Sequence, residues 1–356
     1  MNPGAKIDVA IVSFGQLPSR RRHIDRQEVE LVQPVVTDAL RAAGLTKADI
    51  GFFVSGSADY LIGRPFSFVT ALDGVAPWPP IRESHVEMDG AWALAEAYLR
   101  LQHGDIDTAL VYCYGKSSLG EIRDLLVAQL DPYYVAPLWP DAVSMAALQA
   151  RVLLDQGRCS ERDMAEVAAR NRKRAAGNPN AQVAGDFDVD AILAQPYLVS
   201  PLRKHDCPPI SDGACAVVLA TGDRARDLCE RPAWIRGIDH RVEAHSLGVR
   251  DLASSASTKR AAKEAGAGAA AIDVAELHAP FSHQEIILRD AIGLGDDVDV
   301  NPSGGALAAN PVMVAGLTRI GEAARRIHDG TAKRALAHAT SGPCLQQNLV
   351  CVMEAG

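Results

Sequence analysis

The chain has 356 residues, 48% of them hydrophobic and 22% charged, so it is long enough for two core units or one large α/β domain and shows ordinary globular usage. A net charge of -8 argues against nucleic acid as a main partner, and no apolar run is long enough for a membrane span. Seven cysteines, an odd number without CxxC or Cys/His spacing, point to reduced thiols and to no zinc or other metal site. Residues 1–6 lack a signal-type apolar region, which makes the cytoplasm the expected location.

Asp8–Phe14 (DVAIVSF) reads as a first strand, followed by a basic cluster, Arg20-Arg21-Arg22. Such runs most often form a solvated loop; a phosphate-proximal role is the alternative. Glu28–Ala43 has helical apolar spacing, Ile50–Val54 reads as a strand, and Pro77–Pro80 as a turn. His85–Trp92 (HVEMDGAW) is read as the opening of a helix that continues to Leu101, with Glu87 and Asp89 in its first turn. Thr108–Tyr114 (TALVYCY) suits a strand buried on both faces, with Cys113 packed in the core. The proline-marked segment 116–140 holds Tyr133, Tyr134 and Trp139, aromatics expected to line a pocket or a subunit contact.

Helices are expected over Asp141–Leu154 and Ser160–Ala176, the second with Ser160 as its N-cap, and over the short stretch Asp190–Gln195. Ser211–Ala220 (SDGACAVVLA) is a polar turn feeding a buried strand, and 222–232 reads as a polar connector. Beyond it come a strand at Ala233–Ile238, a helix at Thr258–Ala265, a strand at Asp273–Leu277, and a helix at Gln284–Ala291. The glycine turn Asn301–Ala306, the helix Val312–Ile327 and the strand Arg334–Ala339 follow. A helix, a His-Gly or Asp-Gly break, a strand and a glycine recur at 91–115 and 312–342, which implies two similar α/β units with a ligand at their junction. The expected division is 1–222, with an inserted loop region at about 116–205, and 233–356.

Four stretches, SDGACAVVLA at 211–220, ELHAPFSH at 276–283, NPSGGALAANP at 301–311 and LQQN at 345–348, resemble the thiolase superfamily in order and spacing. The resemblance is to its lipid-transfer-protein-like branch, related to the sterol-carrier-protein thiolases. It implies a five-layered α/β/α/β/α sandwich of two pseudo-twofold-related halves, an acyl-CoA substrate or ligand between them, and a homodimer. Coenzyme A would enter only as part of the substrate, with no covalently bound cofactor.

The resemblance also locates departures. The family's nucleophilic cysteine maps, by spacing to His103-Gly104, onto Glu87, and ESHVEMDG contains no cysteine. The family's Gly-His-Pro turn reads Ala309-Asn310-Pro311 here, where asparagine can still donate a hydrogen bond to an oxyanion. Cys344 and Cys351 lie off the register of a second catalytic cysteine. His278 occupies the oxyanion-hole histidine of the HDCF-type motif, and Gln347 replaces the histidine of LQHN.

The expected catalytic residues are therefore Glu87, as general base or proton shuttle, with His278 and Asn310; Gln347, Ser303, Gly304 and Gly305 are expected to bind substrate. For Glu87 the competing role is complementing the helix dipole. Asp89 is read as a capping residue, and His85, His283 and His338 are as readily structural. The function implied is carbon–carbon bond cleavage or formation of aldol type on a lipid or steroid side-chain acyl-CoA, without acyl-enzyme chemistry. The alternatives are a non-catalytic acyl-CoA or lipid-binding protein and an acyltransferase with another nucleophile. The aldolase resemblance adds a small OB-fold zinc-ribbon partner and catalytic tyrosines, with Tyr60, Tyr112, Tyr114, Tyr133 and Tyr134 available but unplaced.

Overall fold

The computed structural model describes residues 6–356. In the first half, strands β1 (Val9–Gln16), β2 (Phe52–Gly56), β3 (Glu83–Val86) and β4 (Thr108–Lys116) alternate with helices α1 (Glu28–Ala42), α2 (Asp59–Ile62), α3 (Ser67–Val75) and α4 (Gly90–Gln102). An excursion then carries α5 (Ile122–Val127), α6 (Ala142–Asp155), α7 (Glu161–Arg174), α8 (Val189–Leu193) and a hairpin of β5 (Tyr197–Val199) and β6 (Leu202–Arg203). Strand β7 (Asp212–Thr221) and helix α9 (Gly222–Leu228) complete the half. The second half holds β8 (Ala233–Val242), α10 (Ala256–Glu264), β9 (Val274–Leu277), α11 (Ser282–Ile292), β10 (Asp299–Val300), α12 (Gly305–Ala308), α13 (Ala315–His328), β11 (Arg334–Ser341) and β12 (Gln347–Glu354).

The main sheet runs β10-β9-β11-β12-β8-β1-β7-β4-β2-β3. Read outward from the β1/β8 seam, each half has the same plan: two antiparallel pairings and then two parallel ones. The halves meet through a short antiparallel contact, Ala10 opposite Trp234 and Ile11 opposite Ala233.

Side-chain alternation converts this sheet into layers. On β4, Ala109, Val111 and Cys113 enter a central core with α4 and α13, while Leu110, Tyr112 and Tyr114 enter an outer core under α1. On β12, Leu349, Cys351 and Met353 face the centre, and Val350 and Val352 face the outer core with α10. The result is helix, sheet, central helix pair, sheet, helix, the five-layered sandwich expected.

Three readings need correction. The helix opens at Gly90 with Asp89 as N-cap, so its first turn carries no acid, and Glu87 lies beyond the cap, just after edge strand β3. The 222–232 stretch is not a bare connector: it forms α9, anchored by buried Ala225. Segment 116–140 contains helix α5, which buries Ile122 and Val127. Tyr133 and Tyr134, by contrast, are 82% and 81% exposed, so this chain buries neither ring.

Two glycines let the central helices start close together. A Cβ on Gly90 would lie 2.7 Å from Cys113 Sγ and 2.9 Å from Leu317 Cδ2, and one on Gly316 would lie 2.5 Å from Asp89 Oδ1. Both helix N-termini thus converge where the halves meet.

Candidate active site

A cavity of about 610 Å³ opens at this convergence. The excursion supplies much of its apolar wall through Ile122 and Leu126 of α5, Val143 and Met145 of α6, and Ile210, with Phe281 from the second half. Its polar groups include Asp89, His278, Asn310, Thr340 and Gln347. A mostly apolar chamber with a few convergent polar groups is the form of a small-molecule site. Three non-glycine residues with positive φ line it, Met313 (71°), Cys344 (53°) and Leu345 (59°). Backbone strain of this kind persists only where the surroundings hold it.

His278 follows directly on β9, and its backbone N–H continues the sheet by donating to His338 O at 3.1 Å. Its ring is held at both nitrogens. The Thr340 backbone N–H donates to Nδ1 at 3.3 Å, which makes Nδ1 an acceptor and places the proton on Nε2. Nε2–H then donates to Asn310 Oδ1 at 3.0 Å. Burial is the main cause that pushes the His278 pKa down to about 3; the Asn310 bond opposes it, and the ring stays neutral near pH 7. With Oδ1 committed, the Asn310 Nδ2 amide has no protein acceptor among the described residues and lines the cavity as a donor. The Asn310 backbone is fixed by its N–H, which donates to Ser211 Oγ at 3.1 Å.

Asp89 is buried and caps both central helices. Its Oδ1 accepts from Ala91 N (2.9 Å) and Leu317 N (3.0 Å), and its Oδ2 from Gly316 N (2.9 Å). Burial raises its pKa, more than the three N–H donors lower it. Tyr60 of α2 also lines the cavity, and burial pushes its phenol upward. Cys207 and Cys344 line it as well, each raised to about 12 mainly by burial, so both are thiols rather than nucleophilic thiolates.

Other expected site residues lie elsewhere. Glu87 is half-exposed and is absent from the cavity wall. Its Oε1 accepts the Asp59 N–H at 2.6 Å, at the start of the turn that carries Tyr60, and its Oε2 lies 3.2 Å from His85 Nε2. Ser303 is buried away from the cavity, where its N–H and Oγ donate to Glu276 at 3.0 and 2.7 Å beside Arg319. Gly304 and Gly305 form the left-handed entry to α12, with φ of 95° and 62°. Gln347 does line the cavity. His283 and His338 are buried, bonded to Gln149 and Asn348. Sequence reading missed Thr340 and the cavity-facing side of Asp89; for Asp89 the available signal was its place directly before the helix glycine.

No protein-family model matches the chain. It is 25% identical over 377 residues to the acetyl-CoA acetyltransferase of Methanothermobacter thermautotrophicus, covering 96% of this chain and 95% of that one. It is 27% identical over 238 residues to the 17-hydroxy-3-oxo-4-pregnene-20-carboxyl-CoA lyase of Mycobacterium tuberculosis, covering 64% of this chain and 61% of that one. Among solved structures, the Ltp2-ChsH2(DUF35) aldolase superposes with a TM-score of 0.82 at 20% identity, covering 98% of each chain. Human mitochondrial 3-ketoacyl-CoA thiolase superposes with a TM-score of 0.75 at 15% identity, covering 98% of this chain and 99% of that one.

Proposed function

We propose that this thiolase-like chain, of the lipid-transfer-protein type and without a cysteine at the nucleophile's place, makes or breaks a carbon–carbon bond of aldol type in the CoA thioester of a bulky apolar acyl group, of lipid or steroid side-chain class. The observation that carries the reading is the His278–Asn310 pair. A neutral, tautomer-fixed imidazole holds Asn310 Oδ1 and leaves Nδ2 as a preorganised donor for a thioester oxygen. Such a donor stabilises the enolate that aldol chemistry on a thioester must pass through. The apolar chamber supports a large acyl group. The two cavity cysteines, both held as thiols, favour this reading over an acyltransferase with a relocated nucleophile. Glu87 fits a positioning role, fastening the turn that presents Tyr60.

The lyase relative and the aldolase neighbour support the same reaction class. The neighbour's second component, DUF35, supports a partner for this chain, for which a small OB-fold zinc-ribbon protein is the expected kind. The test is release of a carbonyl product from branched 3-hydroxyacyl-CoA probes, by the chain alone and with such a partner. Turnover is expected, together with unmodified protein by intact mass. Binding of acyl-CoA without turnover in either setting would assign the chain to carriage instead. A stable acyl adduct would overturn the non-covalent chemistry.

A further inference from the structure

We infer that Asp89 is the catalytic acid and base of this cavity, moving the proton between the substrate's β-oxygen and its α-carbon. The inference rests on the enolate reading above and adds the group that reading lacks. Among the ionisable side chains of the cavity wall, His278 has both ring nitrogens engaged and Arg123 is paired with Asp141. Cys207 and Cys344 are thiols, and Tyr60 is a partly buried phenol whose pKa desolvation raises further. His245 is exposed, with its ring 3.5 Å from Gln346 Nε2. Among the described residues, Asp89 alone is a buried carboxylate on this wall.

Its geometry suits proton transfer. Oδ1 is saturated by two backbone donors, whereas among the described residues Oδ2 accepts only from Gly316 N, so one lone pair remains for a substrate proton. The helix starts that hold Asp89 also pack beside the segments that carry Asn310 and Thr340. The neighbouring Gly90 N–H donates to Met313 O at 3.0 Å, three residues beyond Asn310, and a Cβ on Gly316 would lie 2.7 Å from Ala339 Cβ, next to Thr340. The raised pKa agrees with a group that must both take and return a proton.

In the cleavage direction, Asp89 Oδ2 takes the β-hydroxyl proton as the bond between the α- and β-carbons breaks. The bonding pair passes into the thioester enolate, whose oxygen is held by Asn310 Nδ2–H, and the β-carbon leaves as a carbonyl compound. Asp89 then returns the proton to the α-carbon, releasing the shortened acyl-CoA. Addition is the same path reversed, and neither direction needs an oxidant or reductant.

The half-reaction can be read without a β-hydroxy substrate. Full-length protein is incubated with octanoyl-CoA in D2O and deuterium at the α-carbon is followed by mass spectrometry, with binding measured separately. The native chain is expected to catalyse exchange, and Asp89→Asn to lose about 100-fold or more of it with affinity for octanoyl-CoA unchanged. Asn cannot accept the Gly316 N–H at its nitrogen, so Asp89→Ser, a competent helix cap, serves as a second variant with the same expected loss. Exchange retained in either folded variant overturns the assignment and leaves the enolate reading standing. A native chain that binds octanoyl-CoA without exchange, both alone and with the small OB-fold partner, overturns both.

Discussion

The roles proposed for Asn310, a donor to the thioester oxygen, and for Glu87, a group that works through the turn carrying Tyr60, make different predictions. Asn310→Asp keeps an acceptor for His278 Nε2–H but replaces the free amide with a carboxylate, which would repel the proposed enolate. Loss of one oxyanion donor predicts a fall in kcat of roughly 100- to 1000-fold with little change in KM, read by steady-state kinetics. An increase in KM alone would place Asn310 in ground-state binding. For Glu87 the bond to Asp59 N is made by Oε1, which glutamine retains. Glu87→Gln is therefore expected to keep activity within about threefold, whereas Glu87→Ala, which frees the Tyr60 turn, should lower it about tenfold or more. If Gln is as damaging as Ala, the carboxylate's charge matters and Glu87 is itself a proton carrier.

At the scale of elements, the start of α4 is the most constrained joint. Gly90→Ala would press a methyl group onto Cys113 Sγ and Leu317 Cδ2, both in the central core. It is expected to destabilise the chain by about 1–3 kcal/mol in urea unfolding. Gly177→Ala, with nothing within 4 Å of the new Cβ, should stay within about 0.5 kcal/mol. Equal effects would mean that the two central helices have room to part. Elements buried by their own periodicity are legible: β4 and β7 as continuous apolar runs, and α7 from its Ser160 N-cap, which the structure extends to a capping box with Asp163. Those whose pattern is carried by one or two residues are not. Helix α9 (GDRARDL) buries only Ala225, and edge strand β3 (ESHV) is half-buried throughout. Strand β12 was absorbed into the LQQN motif and passed unrecognised, although its run Asn348–Met353 is wholly buried. His278 and Asn310 stand at motif positions and could be named in advance. The wall formed by α5 and α6 depends on how the excursion folds back, which no local pattern encodes. In the sequence Asp89 reads only as a local cap, since two of its three donors lie about 228 residues away on α13.

Over the whole molecule, the fold buries a set of histidines whose protonation opposes folding. His278 and His283 are pushed down to about 3 and His338 to about 4, each chiefly by burial. An unfolded histidine takes up its proton near pH 6.5, so above that pH neither state is charged and these rings add no pH dependence. As pH falls from 6.5 toward 3–4 the unfolded chain binds protons that the folded chain refuses, and stability is progressively lost. Buried Asp89, Glu276 and Asp206, whose pKa values are raised mainly by burial, act in the opposite sense, because the folded state protonates them first as pH falls. A single-site comparison removes that offset. His283 is the suitable site: it lies in the core, its Nε2 is 3.2 Å from Gln149 Oε1, and its Nδ1 has no partner among the described residues. His283→Gln can still donate to Gln149 while ceasing to titrate. Its unfolding free energy, measured by urea titration between pH 6 and pH 4, should fall less steeply than that of the native chain by about 1.4 kcal/mol per pH unit, the value of one proton. Parallel slopes would show that this imidazole is protonated inside the fold, which would require an acceptor for Nδ1 within the core.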